Sequence, residues 1–205
     1  MGFYEEQIFS RVMDWSMGSR RVQEERERAL APASGDVLEI GFGTGLNLPH
    51  YPEGVTCVTA IDPASLRPEK RNRRMAAARM PVELVRRSAE TLPLEDGRFD
   101  CVVSTWTLCT IADAVAALRE VGRVLKPEGR FIFLEHGRSN NARVAKWQDR
   151  LNPIQRKIAC GCNMNRPIDA LIHRAGLAVD SLDRFLMPGV PRILGEMYRG
   201  IARTA

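Results

Sequence analysis

Residues 37–45 read Val-Leu-Glu-Ile-Gly-Phe-Gly-Thr-Gly, a short apolar run that enters three glycines at alternate positions. Val37, Leu38 and Ile40 have strand character, and Gly41, Gly43 and Gly45 tolerate backbone angles barred to residues with a Cβ. A glycine loop between a buried strand and the start of a helix lets a nucleoside lie against the main chain. The Gly-x-Gly-x-x-Gly dinucleotide fingerprint would need its third glycine at position 46, which is Leu46. The spacing is instead Gly-x-Gly-x-Gly, with an acid, Glu39, two residues ahead of it.

The rest of the chain extends the same theme. Val55 to Ile61 is a β-branched run that ends on Asp62. An acid at the carboxyl end of a second parallel strand can accept hydrogen bonds from both hydroxyls of a ribose. With Pro63 next to it, Asp62 also suits a helix N-cap, and the two roles are compatible. Val82 to Val85 predicts a third strand, followed by Ser88-Ala89-Glu90. Phe99 to Ser104 predicts a fourth, which leads into Thr105-Trp106-Thr107-Leu108-Cys109. Ala112 to Leu125 carries a helical stripe of Val115, Leu118, Val121 and Leu125. Lys126-Pro127-Glu128-Gly129 reads as a turn and Phe131 to His136 as a fifth strand. Strands alternating with helices indicate an α/β fold with a parallel sheet.

Motifs of these kinds in this order resemble those of the class I S-adenosylmethionine-dependent methyltransferases, of the methyltransferase type 11 kind. The resemblance implies a Rossmann-like sheet of seven mostly parallel strands, helices on both faces and an antiparallel last strand. It implies S-adenosyl-L-methionine as cofactor and S-adenosyl-L-homocysteine as product. It also implies roles: Glu39, Gly41, Phe42, Gly43, Gly45, Leu46 and Asn47 in the first cofactor loop, Asp62 and Pro63 at the ribose. Ser88, Ala89 and Glu90 would flank the adenine, and Thr105, Trp106 and Thr107 would separate cofactor from acceptor. Gly45 to Tyr51, Leu108-Cys109-Thr110-Ile111, Phe133 to His136 and Cys160-Gly161-Cys162-Asn163 further resemble the microsomal thiol S-methyltransferases of animals and their soluble bacterial relatives. A small-molecule thiol, or another soft nucleophile, is the acceptor this implies. Methylation of a phospholipid headgroup amine is the alternative within enzymes, and a non-catalytic cofactor-binding subunit the alternative outside them.

Methyl transfer of this kind is an in-line displacement, so alignment is the main demand on the protein. A thiol has an ordinary pKa of about 8.5 and needs little help to ionise. An oxygen or amine acceptor needs a better-defined base. His136, at the end of the fifth strand, is the base candidate, with a structural histidine as the competing reading. Glu135 is placed to orient it, His50 is a second candidate base, and Cys109 reads as a buried inert thiol near the acceptor.

A chain of 205 residues suits one domain, 1–205, with a helical lid over 1–33, a cofactor core over 34–137 and acceptor-side elements over 138–205. The lid carries Phe3, Tyr4, Ile8, Phe9, Val12, Met13, Trp15 and Met17. The net charge of +5 gathers in places such as Arg67, Lys70, Arg71, Arg73 and Arg74. Without interleaved aromatics that cluster reads as a solvated helix face and not as a nucleic-acid site. There is no apolar run of membrane-spanning length and no basic-then-apolar start, so neither a spanning helix nor a secretory signal is expected. Five scattered cysteines suit reduced thiols and a cytoplasmic setting. Cys160 and Cys162 are too closely spaced for a common zinc pair and have no matching pair elsewhere, so no metal is expected. Asn141 to Ile158 predicts an amphipathic helix, broken or kinked at Asn152-Pro153, with Val144, Trp147, Leu151, Ile154 and Ile158 on one face. Its basic residues from Arg143 to Lys157 suit peripheral contact with an anionic membrane. Leu177 to Leu186 reads as a strand, and Tyr198 to Arg203 as a final edge strand; the oligomeric state is not encoded legibly.

Overall fold

Three short apolar runs set the centre of the architecture, β1 (Gly35–Ile40), β2 (Val55–Ile61) and β4 (Phe99–Thr105), and β3 (Val82–Val85), only partly buried, forms one edge beside them. In the computed structural model, which describes residues 10–64 and 67–204, they lie parallel and are joined by β5 (Leu125–His136). β6 (Leu177–Leu186) and β7 (Glu196–Thr204) complete a seven-stranded sheet ordered β3-β2-β1-β4-β5-β7-β6. β7 runs antiparallel to both its neighbours, as the resemblance implied for the last strand. The chain order reverses between β1 and β4, and that switch point is where an open α/β sheet offers a ligand crevice beyond the carboxyl ends of its strands.

Helices cover the sheet. α4 (Ala114–Val124) and α6 (Ile168–Arg174) pack with Leu38, Ile40, Val102, Phe131 and Phe133 in one core. Leu30 of α2 (Arg20–Leu30) joins Val37, Val58, Val103 and Ile132 in a second core, with Met75 of α3 (Pro68–Ala76) packed against it. α4 starts one turn's worth of sequence after the Cys109 segment because Asp113 caps it, its carboxylate accepting from the Ala116 amide at 2.9 Å.

Three expectations change. β7 is not an edge strand but lies between β5 and β6. Met197, Tyr198 and Ala202 are buried, and a Cβ on Gly200 would meet the Phe133 ring and the Ser181 carbonyl, so only a strand packed on both sides fits there. The Lys126–Gly129 turn is absorbed into β5 as a break in register, with Leu125 opposite Phe99 and Arg130 opposite Cys101. And α5 (Ala142–Ile158) runs unbroken through Pro153. Pro153 and Asp149, whose carbonyl loses its i+4 donor, are both exposed residues, so the missing helix bond lies at the surface and not in the core.

The face α5 turns to the protein is not its apolar stripe. Ala145 and Gln148 are buried, while Trp147, Ile154 and Ile158 are each more than half exposed. Gln148 explains the inversion: its amide nitrogen donates to the carbonyls of Gly137, Met164 and Ile193, and its oxygen accepts from the Ser139 amide. One polar residue ties together three loops, and the apolar stripe is left outward. Among the described residues no helix is long and apolar enough to cross a membrane.

Candidate active site

β1 ends at Ile40 and the chain turns through Gly41, Gly43 and Gly45 at φ of 74°, 57° and 77°. Only glycine holds such angles without strain, which is why the loop can double back over the strand ends. Beneath it Asp62 follows β2 and locks the loop: its carboxylate accepts the Gly43 amide at 2.6 Å and the Ala64 amide at 2.7 Å. The N-cap reading of Asp62 falls away, because α3 begins at Pro68 with Arg67 in the cap position. Burial pushes the Asp62 carboxyl up, against the pull of those two amides and of Arg71.

The loop opens onto a cavity of about 1440 Å³. Glu39, Gly41, Phe42, Gly43, Leu46, Asp62, Pro63, Ser88, Ala89, Glu90, Thr105, Trp106 and Thr107 all line it, as does His136. Gly45, Asn47 and Glu135 stand behind the lining. Asn47 is a strut, donating to Glu39 at 2.9 Å and to Thr105. Ser88 and Glu90 bond to each other, and Glu90 also accepts the Asp113 amide, so this edge of the cavity is held to the start of α4. Glu135 is fully buried and accepts from the Ser104 hydroxyl and the Thr107 and Leu108 amides. Its bonds shape the turn after β4 and do not orient His136, the role expected of it. His50 also leaves the list, because its ring bonds to Gln23 outside the cavity.

Residues that fit S-adenosylmethionine are present in three respects. An added Cβ on Gly43 meets nothing within 4 Å, so the backbone presents open space to a ligand. Asp62 offers a carboxylate beside it. At the inner end Arg26 is 4 % exposed, lines the cavity, and has a buried Nε without a hydrogen-bond partner. Its Nη1 donates to Asn47 at 2.6 Å and to Thr105 at 3.0 Å, and its guanidinium lies 4.7 Å from the Trp106 ring centre. A buried arginine among the lining residues, with one donor still unpaired, suits the carboxylate of an amino-acid moiety. Burial lowers the Arg26 pKa to about 10 and raises that of Glu39, bonded to Tyr51 and Asn47, to about 7. Trp106 itself stands at φ 50°, a left-handed angle costly for a tryptophan and fixed here by its amide bond to Leu134. Nothing in the sequence marks Arg26, because it sits in a charge-rich helix among similar arginines.

On the opposite wall Asp14 of α1 (Ser10–Met17) reaches inward. It accepts from Lys70 at 2.5 Å, Arg74 at 2.9 Å and Thr44 at 2.7 Å. The arginine cluster on α3, expected as a solvated face, is therefore in part the anchor that holds α1 against the glycine loop. Residues 1–9 of the expected lid, and the side chains of Val12 and Met13, lie outside the described residues. Against the cost of burial, the Lys70, Thr44 and Arg74 bonds hold the Asp14 carboxyl well below its usual range. A depressed carboxyl pKa contributes stability that is present above the unfolded value of about 3.9 and fades as pH falls below it. Asp14→Asn is expected to speed amide exchange across 10–17 about tenfold at neutral pH, the loss of roughly 1.4 kcal/mol. Unchanged exchange would show that the anchor lies elsewhere.

The far end of the cavity is where distant segments meet. Cys109 and Cys162, both buried, join His136, whose Nε2 is 3.1 Å from the Cys162 sulfur. The loop that delivers Cys162 is fastened by Asn163, whose backbone and side-chain amides both donate to the Cys109 carbonyl. The Cys109 hydrogen bond, and then His136, pull the Cys162 thiol below its usual range against burial. That same bond and burial push Cys109 up. Despite burial, His136 rises because it faces Cys162.

Fold and site together define the S-adenosylmethionine-dependent methyltransferases, and the chain belongs to that family. Residues 38–133 match the methyltransferase domain. Among curated relatives the chain is similar to human thiol S-methyltransferase TMT1B, 34% identical over 183 residues, which is 84% of this chain and 75% of that protein. It is 33% identical to human thiol S-methyltransferase TMT1A over 74% of this chain, spanning 64% of the longer relative. Among solved structures, a Burkholderia thailandensis 1,6-didemethyltoxoflavin-N1-methyltransferase aligns with TM-score 0.70 at 16% identity, over 96% of this chain and 84% of its own. The YcgJ protein of Bacillus subtilis aligns at 0.68 and 17%, over 90% and 98%. At these identities the structural likeness speaks for the fold alone.

Asp62→Ala is expected to raise the Kd for S-adenosylhomocysteine about 10- to 100-fold, roughly 1.5–3 kcal/mol, since both the ligand contact and the loop lock go. Titration calorimetry measures it, and an unaltered Kd would contradict the ribose placement.

Proposed function

We propose that this protein transfers the methyl group of S-adenosylmethionine to a small-molecule thiol. When bound, the cofactor supplies an electrophilic methyl group on a sulfonium sulfur. Arg26, Asp62 and the glycine loop would hold the nucleoside and its amino-acid tail, and Thr107, which packs against Gly41, lines the same cavity. The acceptor sulfur attacks the methyl carbon as that carbon's bond to the cofactor sulfur breaks, and the electron pair stays on the departing sulfur. The observation that supports a thiol over an amine or hydroxyl is the His136–Cys162 bond. It engages the one imidazole that lines the cavity, so an acceptor that ionises readily by itself suits the site. The names of the TMT1 relatives point the same way.

The test is transfer of labelled methyl across a panel of alkyl and aryl thiols, amines, phenols and phosphatidylethanolamine. A thiol is expected to give the highest kcat/KM by at least tenfold. An amine or lipid that outpaces every thiol would overturn the reading.

Peripheral membrane contact is proposed on a separate observation. α5 presents Trp147, Leu151, Ile154 and Ile158 outward, with Arg143, Lys146, Arg150, Arg156 and Lys157 exposed on the same helix. An apolar stripe flanked by cations is what an anionic interface retains. Sedimentation with phosphatidylserine-containing vesicles at low salt is expected to capture the protein. Ile154→Asp is expected to weaken capture about tenfold, and no capture of the unaltered chain would sink the idea.

A further inference from the structure

The cluster at the far end of the cavity has a feature that a single base or a stray thiol lacks. Two cysteine sulfurs and one imidazole nitrogen, from Cys109, His136 and Cys162, all lie within 4.8 Å of one another. They come from three separate segments: the turn after β4, the end of β5 and the loop after α5. Each is held from behind. Arg166 donates to the Leu108 and Ile111 carbonyls and pins the turn that carries Cys109. Asn163 joins the Cys162 loop to that turn, and β7 pairs with β5 up to His136 opposite Met197. Three converging donors on a braced frame, with all three lining the same cavity as the glycine loop, are the arrangement of a metal centre with one side open.

We infer that Cys109, His136 and Cys162 hold a zinc-class divalent cation, with its fourth coordination position facing the cavity and taken by the acceptor thiol. Bond lengths of about 2.3 Å to sulfur and 2.0–2.1 Å to nitrogen place tetrahedral donors about 3.5–3.8 Å apart. The 3.1 Å between His136 and Cys162 and the 4.8 Å limit of the cluster bracket that span, so adjustments of side-chain torsions alone close the site. Soft thiolates and an imidazole select zinc over magnesium or calcium, which prefer oxygen.

The charge also suits the proposed reaction, and this inference rests on the thiol reading above for its acceptor. A dication with two cysteine thiolates and a neutral imidazole is neutral. An acceptor thiol that binds it gives up its proton to bulk water, as metal binding to a thiol requires. The resulting centre carries one negative charge beside a positively charged sulfonium, which draws nucleophile and methyl carbon together inside a low-dielectric cavity. The sulfur then forms its bond to the methyl carbon while the cofactor sulfur keeps the electron pair of the bond that breaks. The product is a neutral thioether, a weaker ligand than the thiolate, so it leaves the metal. His136 acts here as a ligand and no protein base is needed.

Cobalt(II) tests the site without any turnover. Reduced, chelator-treated protein titrated with cobalt is expected to bind one equivalent, with the visible absorption of a tetrahedral centre and sulfur-to-metal charge transfer in the near ultraviolet. Cys109→Ser and Cys162→Ser are expected to lose the charge-transfer band at least in half, and the double variant to lose uptake, while Cys57→Ser keeps both. Calorimetry with S-adenosylhomocysteine reports whether each variant is folded. A small alkyl thiol is expected to shift the visible bands on binding. Reduced wild-type protein that takes up no cobalt or zinc at micromolar metal would overturn the inference, as would uptake that survives in the double variant. A Cys109–Cys162 disulfide in protein that binds no metal once reduced would overturn it too. Metal-free enzyme that methylates thiols at undiminished kcat would remove the metal from the reaction. Cobalt uptake in protein that methylates no thiol would instead uphold the site and overturn the thiol reading.

Discussion

Gly41→Ala is expected to abolish cofactor binding and to lower folding stability by about 4 kcal/mol. Gly41 sits at φ 74°, and a Cβ there would lie 2.1 Å from the Thr107 hydroxyl and 2.6 Å from the Thr107 Cβ. The obstruction is the root of a β-branched side chain, not the tip of a flexible one, so the β1 turn and the β4 turn have to separate. Thr107 cannot yield easily, because its amide is held by the buried Glu135 carboxylate and its hydroxyl by the Thr105 carbonyl. Gly43→Ala separates the two effects. Its φ of 57° costs about 1 kcal/mol for alanine, yet its Cβ enters empty space where a nucleoside is expected. Urea denaturation should find it nearly as stable as the parent, and calorimetry should find binding of S-adenosylhomocysteine at least tenfold weaker. A Gly43→Ala protein that binds the cofactor normally would show that the nucleoside does not lie on this loop.

Arg26→Ala is expected to raise the Kd for S-adenosylhomocysteine about 100- to 1000-fold, some 3–4 kcal/mol. Truncation removes the only cation among the lining residues that is itself buried and half satisfied, and leaves Asn47 and Glu39 to repack around a hole. Arg26→Lys is not a mild change, since a point charge on a flexible stem does not reproduce the planar fork that bonds Asn47 and Thr105. It should recover less than a tenth of the lost affinity. If decarboxylated or carboxyl-blocked cofactor analogues lose as much affinity toward wild type as the normal cofactor loses toward Arg26→Ala, the carboxylate assignment stands. Equal loss of both cofactor forms on mutation would indicate a packing role.

The glycine loop, Asp62 and the five parallel strands were readable because each is a local pattern with a local cause. Positive φ demands glycine, a buried strand demands β-branched residues, and both are written in consecutive letters. The orientation of α5 was not legible, for the converse reason. Its periodicity identified a helix and a stripe, but periodicity cannot say which side of a helix meets the protein. Gln148 decided that, through carbonyls at 137, 164 and 193 that no reading of residues 141–158 contains. Tyr198–Arg203 reads as an edge strand in the sequence, whereas position in a sheet follows from which strand fits between Phe133 and Ser181.

What the amino-acid order alone determined was the cofactor half of the molecule: a doubly wound sheet, a glycine loop over its switch point, and an acid at the end of the second strand. Those features are short-range, and one stretch of chain suffices to specify each. The acceptor half was decided only by tertiary structure. Cys162 stood in the sequence as one of a poorly spaced pair with Cys160, and became a partner of Cys109 and His136 because hydrogen bonds from Asn163 and the pairing of β7 on β5 draw three remote segments to one point. Arg26 and Asp14 gained their roles in the same way, from helices whose charges look alike until packing buries a few of them. Chemistry that depends on converging side chains is set by distances through space, and those distances are absent from the one-dimensional pattern.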